Sequence, residues 1–168
     1  MASVLAGYLD DVPVHVAIHD LDALMLLLNM VAAPNIGLLL DIWDVVVGGG
    51  SLDSVRKLPP EQIVAVHVAD LPPLAGNGEI DEKSRLLPGG EGGRIDITTL
   101  LVYLKSVGYD GPITPRPSRG IFQSRRRDLV IKQAGEALDK VWRAAGLPME
   151  RRFVPSAASL DYNIDFGN

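Results

Sequence analysis

An α/β domain built on parallel strands is what the sequence predicts, and three observations predict it. Three short apolar runs without alternation, Ile36–Leu40, Ile63–Val68 and Gly111–Pro115, read as strands buried on both faces. Segments with apolar residues at helical spacing lie before, between and after them, the order expected of βα units with right-handed crossovers. A polar residue, Asp41, His67 or Arg116, stands at the carboxyl end of each run, where parallel sheets bind ligands.

The elements follow in order. After an ambiguous segment over residues 1–19, Asp20-Leu-Asp22 can cap a helix whose apolar positions are Leu24, Leu27, Leu28 and Val31, and Pro34-Asn35 stops it. The first strand comes next, then a Gly48-Gly-Gly50 loop, a short helix over Ser51–Lys57, and Pro59-Pro-Glu61 leading into the second strand. Asp70–Arg94 is rich in glycine, proline and charge, and so long a loop in a compact domain is functional or disordered. Asp96 or Thr98 begins a helix with Leu100, Leu101, Leu104 and Val107 on one face and Gly108 as its C-terminal cap. The third strand precedes a last helix from Asp128, with Val130, Ala134, Ala137, Leu138, Val141 and Trp142 on one stripe and Gly146 and Pro148 at its end. The division expected is a core over 20–147 and a loosely held tail over 148–168.

Composition narrows the class. The 168 residues suit one domain but fall short of the roughly 250 of a complete eight-stranded α/β barrel. Apolar content of 47%, charged content of 22% and a net charge of −5 describe an acidic globular protein, with no electrostatic reason to expect nucleic acid. The absence of cysteine excludes disulfides, zinc–thiolate sites, iron–sulfur clusters and thiol nucleophiles. The start lacks the basic region of a secretory signal, and no apolar run approaches the roughly 18 residues of a membrane span, so a cytoplasmic protein is expected.

Read from their residue types, Asp41 and His67 are half of a metal site, whereas Arg116 places a cation where such a site needs a carboxylate. The plain readings of the other polar residues are weaker. Arg85 in its glycine-rich surroundings reads as a surface cation, Asp44 and Asp70 as turn-forming aspartates, and His19 as a helix-entry residue. Arg116, Arg119 and Arg125–Arg127 read as a solvated basic turn rather than a phosphate site. Gly89-Gly-Glu-Gly-Gly93 lacks the preceding strand and the Lys-Ser/Thr of a phosphate cradle, and reads as a flexible rim loop.

Four segments in this order, Asn35-Ile-Gly-Leu-Leu-Leu-Asp-Ile-Trp-Asp44, Ile63-Val-Ala-Val-His-Val-Ala-Asp70, Arg85-Leu-Leu-Pro-Gly-Gly-Glu-Gly92 and Leu104-Lys-Ser-Val-Gly-Tyr-Asp-Gly-Pro-Ile-Thr-Pro115, resemble the sugar phosphate isomerase/epimerase family. This is the xylose-isomerase-like TIM-barrel group that includes inosose dehydratases, hydroxypyruvate isomerases and ketose 3-epimerases. The resemblance spans Asp20 to Leu147 and implies a partial (βα)8 TIM barrel, its C-terminal half. It also implies a divalent metal, manganese or magnesium, held by Glu, Asp, His and Glu at four strand ends, with two glutamates moving protons through an ene-diolate. Asp41 and His67 match the metal Asp and His, Arg85 matches a substrate-contacting arginine, and Asp44 stands where a substrate-contacting histidine is usual.

Two departures shape the expectation. Val12–His19, where the first glutamate belongs, contains none, and the last glutamate's position holds Arg116. A guanidinium there removes an oxygen donor and stays protonated, so metal affinity and proton transfer should both suffer, and no catalytic residue is assignable. The function implied is isomerisation or epimerisation of a small sugar or sugar phosphate, impaired in this chain. The alternative is a non-catalytic relic of the barrel serving as a binding or assembly module, with homo-oligomerisation expected to cover the open sheet edges. A rearranged piece of a longer gene product is the third expectation.

Overall fold

The computed structural model describes residues 21–73, 80–122 and 126–148. His15, His19, the strand position Val12–His19 and the expected tail beyond residue 148 lie outside these residues. The described elements are α1 (Leu21–Val31), β1 (Leu38–Asp41), α2 (Ile42–Val47), α3 (Leu52–Val55), β2 (Ile63–Val68), α4 (Ile97–Ser106), β3 (Ile113–Pro115) and α5 (Arg127–Ala144).

Among the described residues the strands form one parallel sheet in the order β1-β2-β3. The register sets Asp41 opposite His67 and His67 opposite Thr114. The Arg116 N–H donates to the Val68 carbonyl at 2.8 Å, extending the β2–β3 ladder past the end of β3. With a side-chain period of two, Asp41, His67, Thr114 and Arg116 therefore share one side of the sheet at its carboxyl end.

The other side carries the core. Leu38, Leu40, Val66 and Val68 are buried with Leu100, Leu101 and Leu104 of α4. Asp96 starts α4 by accepting the Thr99 N–H at 2.9 Å and its hydroxyl at 2.6 Å, bonds that hold the Asp96 carboxyl below its usual pKa. Gly108, at φ +77, ends the helix in the left-handed conformation that glycine adopts without strain.

Two expectations need correction. The strands are not buried on both faces: Leu39 and Ala65 are only half-buried and Thr114 is exposed. A register irregularity between Leu38 and Leu39 skips Val64, which is left 54% exposed and packed so close to Gly37 that a Cβ there would clash. On α1, Leu24 and Leu28 pack on the core but Leu27 and Val31 are exposed, and the helix ends at Ala32, φ +45, before Pro34 is reached. The stripe expected on α5 is its buried face, with Val141 fully buried and the other five positions half-buried. The helix α2, which the sequence reading leaves unassigned, begins directly where β1 ends.

Candidate functional site

The site begins with one carboxylate doing two jobs. Asp41 is the last residue of β1 and the N-cap of α2, its Oδ1 accepting the N–H groups of Trp43 at 3.1 Å and Asp44 at 3.4 Å. That cap turns the chain from strand to helix without a loop and fixes the carboxylate in place, 2% exposed. Its other oxygen, Oδ2, accepts from Arg85 Nη1 and from Arg116 Nη1, each at 2.8 Å.

Arg85 bridges two carboxylates. Its Nη2 donates to Asp44 Oδ1 at 2.5 Å, and its guanidinium lies 4.2 Å over the Trp43 ring, so the charge is paired, stacked and 3% exposed. The segment that delivers it is tied down at both ends. Asp70 and Leu86 exchange backbone hydrogen bonds, and the Asp70 carboxylate accepts the N–H groups of Leu71 at 2.8 Å and Ile95 at 3.0 Å. The Arg85 carbonyl in turn accepts from the Ser118 N–H at 2.9 Å, linking this segment to the chain after β3.

Arg116 enters from β3 and reaches across to Glu82, Nη2 to Oε1 at 3.4 Å. Glu82 sits on a 3₁₀ turn, Glu82–Ser84, itself capped by Asp81. His67 brings Nδ1 to 3.9 Å from Asp41 Oδ2, beyond hydrogen-bond range. Burial lowers the His67 pKa; Asp41 and Asp44 oppose this, while the two arginines add to it, so the ring is neutral at pH 7. Three buried nitrogens of this cluster, His67 Nδ1, Arg85 Nε and Trp43 Nε1, have no partner among the described residues.

The structure thus brings Asp41, Asp44, His67, Arg85 and Arg116 together on one rim. Arg85 is a buried ion-pair residue and not a surface cation, because Asp41 and Asp44 compensate its desolvation. Arg116 is no solvated turn residue either, being two-thirds buried on Asp41, while Arg119 and Arg126 are exposed and Arg126 pairs locally with Asp128. Asp70 joins the loop rather than the rim. The glycine stretch is anchored at its ends, where Lys140 of α5 donates to the Gly89 carbonyl at 2.6 Å and a Cβ on Gly93 would strike the Asp70 carboxylate, while Glu91–Gly93 are exposed. Trp43 and Glu82 are members that sequence reasoning did not single out; the aromatic placed between Asp41 and Asp44 was the available signal for Trp43, and nothing local marked Glu82.

These residues do not fit a divalent metal. The four acceptor positions of Asp41 are taken by two N–H groups and two guanidiniums, and none is left for a cation. A dication beside Arg116 would also meet repulsion of roughly 4 kcal/mol per unit charge pair at about 4 Å. Among the described residues no group of three or more His, Asp or Glu side chains is placed to hold a metal.

Known proteins share this architecture. The family model described as xylose isomerase-like TIM barrel matches residues 9–141. No curated protein matches. The crystal structure of IolI protein with a zinc atom superposes at a TM-score of 0.67 with 21% identity, over 76% of this chain and 45% of that one. A xylose isomerase domain protein from Alicyclobacillus acidocaldarius gives 0.61 with 31% identity, over 76% and 44%. A xylose isomerase domain containing protein from Salmonella typhimurium gives 0.62 with 14% identity, over 74% and 45%. The chain spans less than half the length of each of these structures.

Proposed function

Because the chain belongs to the xylose isomerase-like TIM barrel family, we propose that its strand-end rim is a sugar site of the isomerase/epimerase kind, weak or silent in catalysis. The ligand is a small sugar, polyol or sugar phosphate. One observation carries this reading: side chains from β1, β2, the residue after β3 and the Asp70–Arg94 loop converge on one rim, where three buried nitrogens have no partner among the described residues. Such nitrogens favour a ligand rich in hydroxyl groups, since each buried polar atom left unpaired costs about 1–3 kcal/mol.

Within that site neutral His67 positions a hydroxyl or carbonyl oxygen, and Arg116, at the open side of the rim, donates to a second oxygen. Proton transfer is where the rim falls short. Aldose–ketose isomerisation and epimerisation need an acid and a base on the carbon next to the carbonyl. Here Asp41 and Asp44 are engaged by the Arg85 guanidinium, and Glu82 points at Arg116 from an exposed turn. The manganese or magnesium expected from the sequence has no place in this proposal, since the residues do not fit it.

A panel of ketoses, polyols and sugar phosphates tested by thermal shift and by turnover checks the reading. A true ligand at about 100 times its Kd stabilises the fold by about 2.7 kcal/mol, and His67→Ala should abolish the shift. A panel with no shift in the wild type would contradict the sugar reading. The non-catalytic binding module is the second reading, favoured by the arginine pairing of the rim carboxylates; there the shift persists with turnover at background.

A further inference from the structure

We propose that Arg116 is the resident cation of this rim: a guanidinium fixed on Asp41 that makes the site independent of any divalent metal. The inference deepens the reading of the same rim, but it stands on charge geometry and does not need the sugar.

Position comes first. Arg116 follows β3 directly, its backbone N–H is bonded to Val68, and Pro115 and Pro117 on either side restrict the backbone there. The side chain thus starts from a strand end fixed in the sheet, with Asp41, at the end of β1, two strands away. Its Nη1 meets Asp41 Oδ2 at 2.8 Å, stands 3.9 Å from Asp44 Oδ2, and its Nη2 reaches Glu82 at 3.4 Å. One guanidinium therefore stands within 4 Å of three carboxylates, two at the β1–α2 junction and one on the Glu82 turn.

Charge comes second. Among the described residues Asp41, Asp44 and Glu82 face Arg85 and Arg116, three carboxylates against two guanidiniums. Arg85 cannot fill the role alone: it is 3% exposed, bound to Asp41 and Asp44, and stacked on Trp43. Replacing Arg116 by glutamate would leave four carboxylates against one guanidinium and free an acceptor position on Asp41. That rim would hold a dication more strongly than the present one, in which Arg116 already occupies Asp41.

The full chain, stripped with EDTA and desalted, is titrated calorimetrically with manganese chloride in sugar-free buffer, as wild type, Arg116→Glu and Arg116→Gln. The wild type should show no binding tighter than about millimolar, and Arg116→Glu should bind manganese at least about tenfold more tightly. Arg116→Gln should melt below the wild type in EDTA and recover part of the loss when manganese is added. Stoichiometric micromolar binding by the wild type would overturn the proposal, as would a folded Arg116→Glu with wild-type affinity. Should Arg116→Glu fail to fold, Arg116→Gln decides: a melting temperature indifferent to manganese counts against it. Because no sugar is present, a failed sugar panel and a failed metal prediction are separate results.

Discussion

At their carboxyl ends the three strands deliver Asp41, His67 and Arg116 into a network in which a buried carboxylate meets two guanidiniums; at the other end of the sheet, Ile36 and Val64 are left half exposed. That second end borders an open hollow of about 510 Å³, lined among others by Leu28, Asn35, Ile36, Gln62 and Val64. The amino end carries the register irregularity between Leu38 and Leu39, and among the described residues it lacks the charged side-chain partners found at the rim. Each rim carboxylate or guanidinium answers at least one charged partner and Asp41 answers four donors, whereas the apolar side chains beside the hollow answer few. Substitutions should therefore cost much at the rim and little at the hollow.

The sharpest way to break this contrast is Asp41→Ala. It strips the acceptor from two guanidiniums and uncaps α2, and should lower the unfolding free energy by about 3–5 kcal/mol in a urea titration. A loss under about 1 kcal/mol would mean the rim is not a coupled network. Arg85→Lys comes next, at roughly 2–3 kcal/mol, because a point charge cannot bridge Asp41 and Asp44 or lie flat on Trp43.

How much of this the sequence disclosed follows the range of the interactions. β2 appears at its expected bounds, Ile63–Val68, because an apolar run between Pro60 and Asp70 leaves little choice. β1 is displaced from Ile36–Leu40 to Leu38–Asp41, since Ala33–Gly37 stays in a turn closed by the Ile36 N–H on the Ala33 carbonyl. α2 was illegible for a local reason: Val45-Val-Val47 favours a strand by propensity, and the Asp41 cap with burial of Ile42, Trp43 and Val45 overrides it. Arg85 and Arg116 were read as solvated because their partners are distant in sequence, at separations of 44 and 75 residues from Asp41. The strand-end rule placed Asp41, His67 and Arg116 on one rim; only the fold shows what each one touches.

Smaller effects sharpen the contrast. The His67 pKa lies below histidine's ordinary 6.5, because burial disfavours the charged ring. The sign follows from that: stability is complete above about pH 6.5 and falls as pH drops, because the unfolded chain then binds a proton more readily than the fold does. Urea unfolding from about pH 8 to about pH 5 should show a decline that is weaker in His67→Gln. Val64→Thr at the amino end should change stability by no more than about 0.5 kcal/mol. A larger loss would mean that the amino end is held as tightly as the rim.

Arg116 is the cation that Asp41 holds, and a double-mutant cycle on that pair tests this most directly. Wild type, Asp41→Asn, Arg116→Gln and the double variant are unfolded in urea with EDTA present throughout. The predicted coupling is about 1–3 kcal/mol, the second substitution costing little once the first is made. Additive losses, within about 0.3 kcal/mol, would show that the guanidinium and the carboxylate do not depend on each other and would contradict the account.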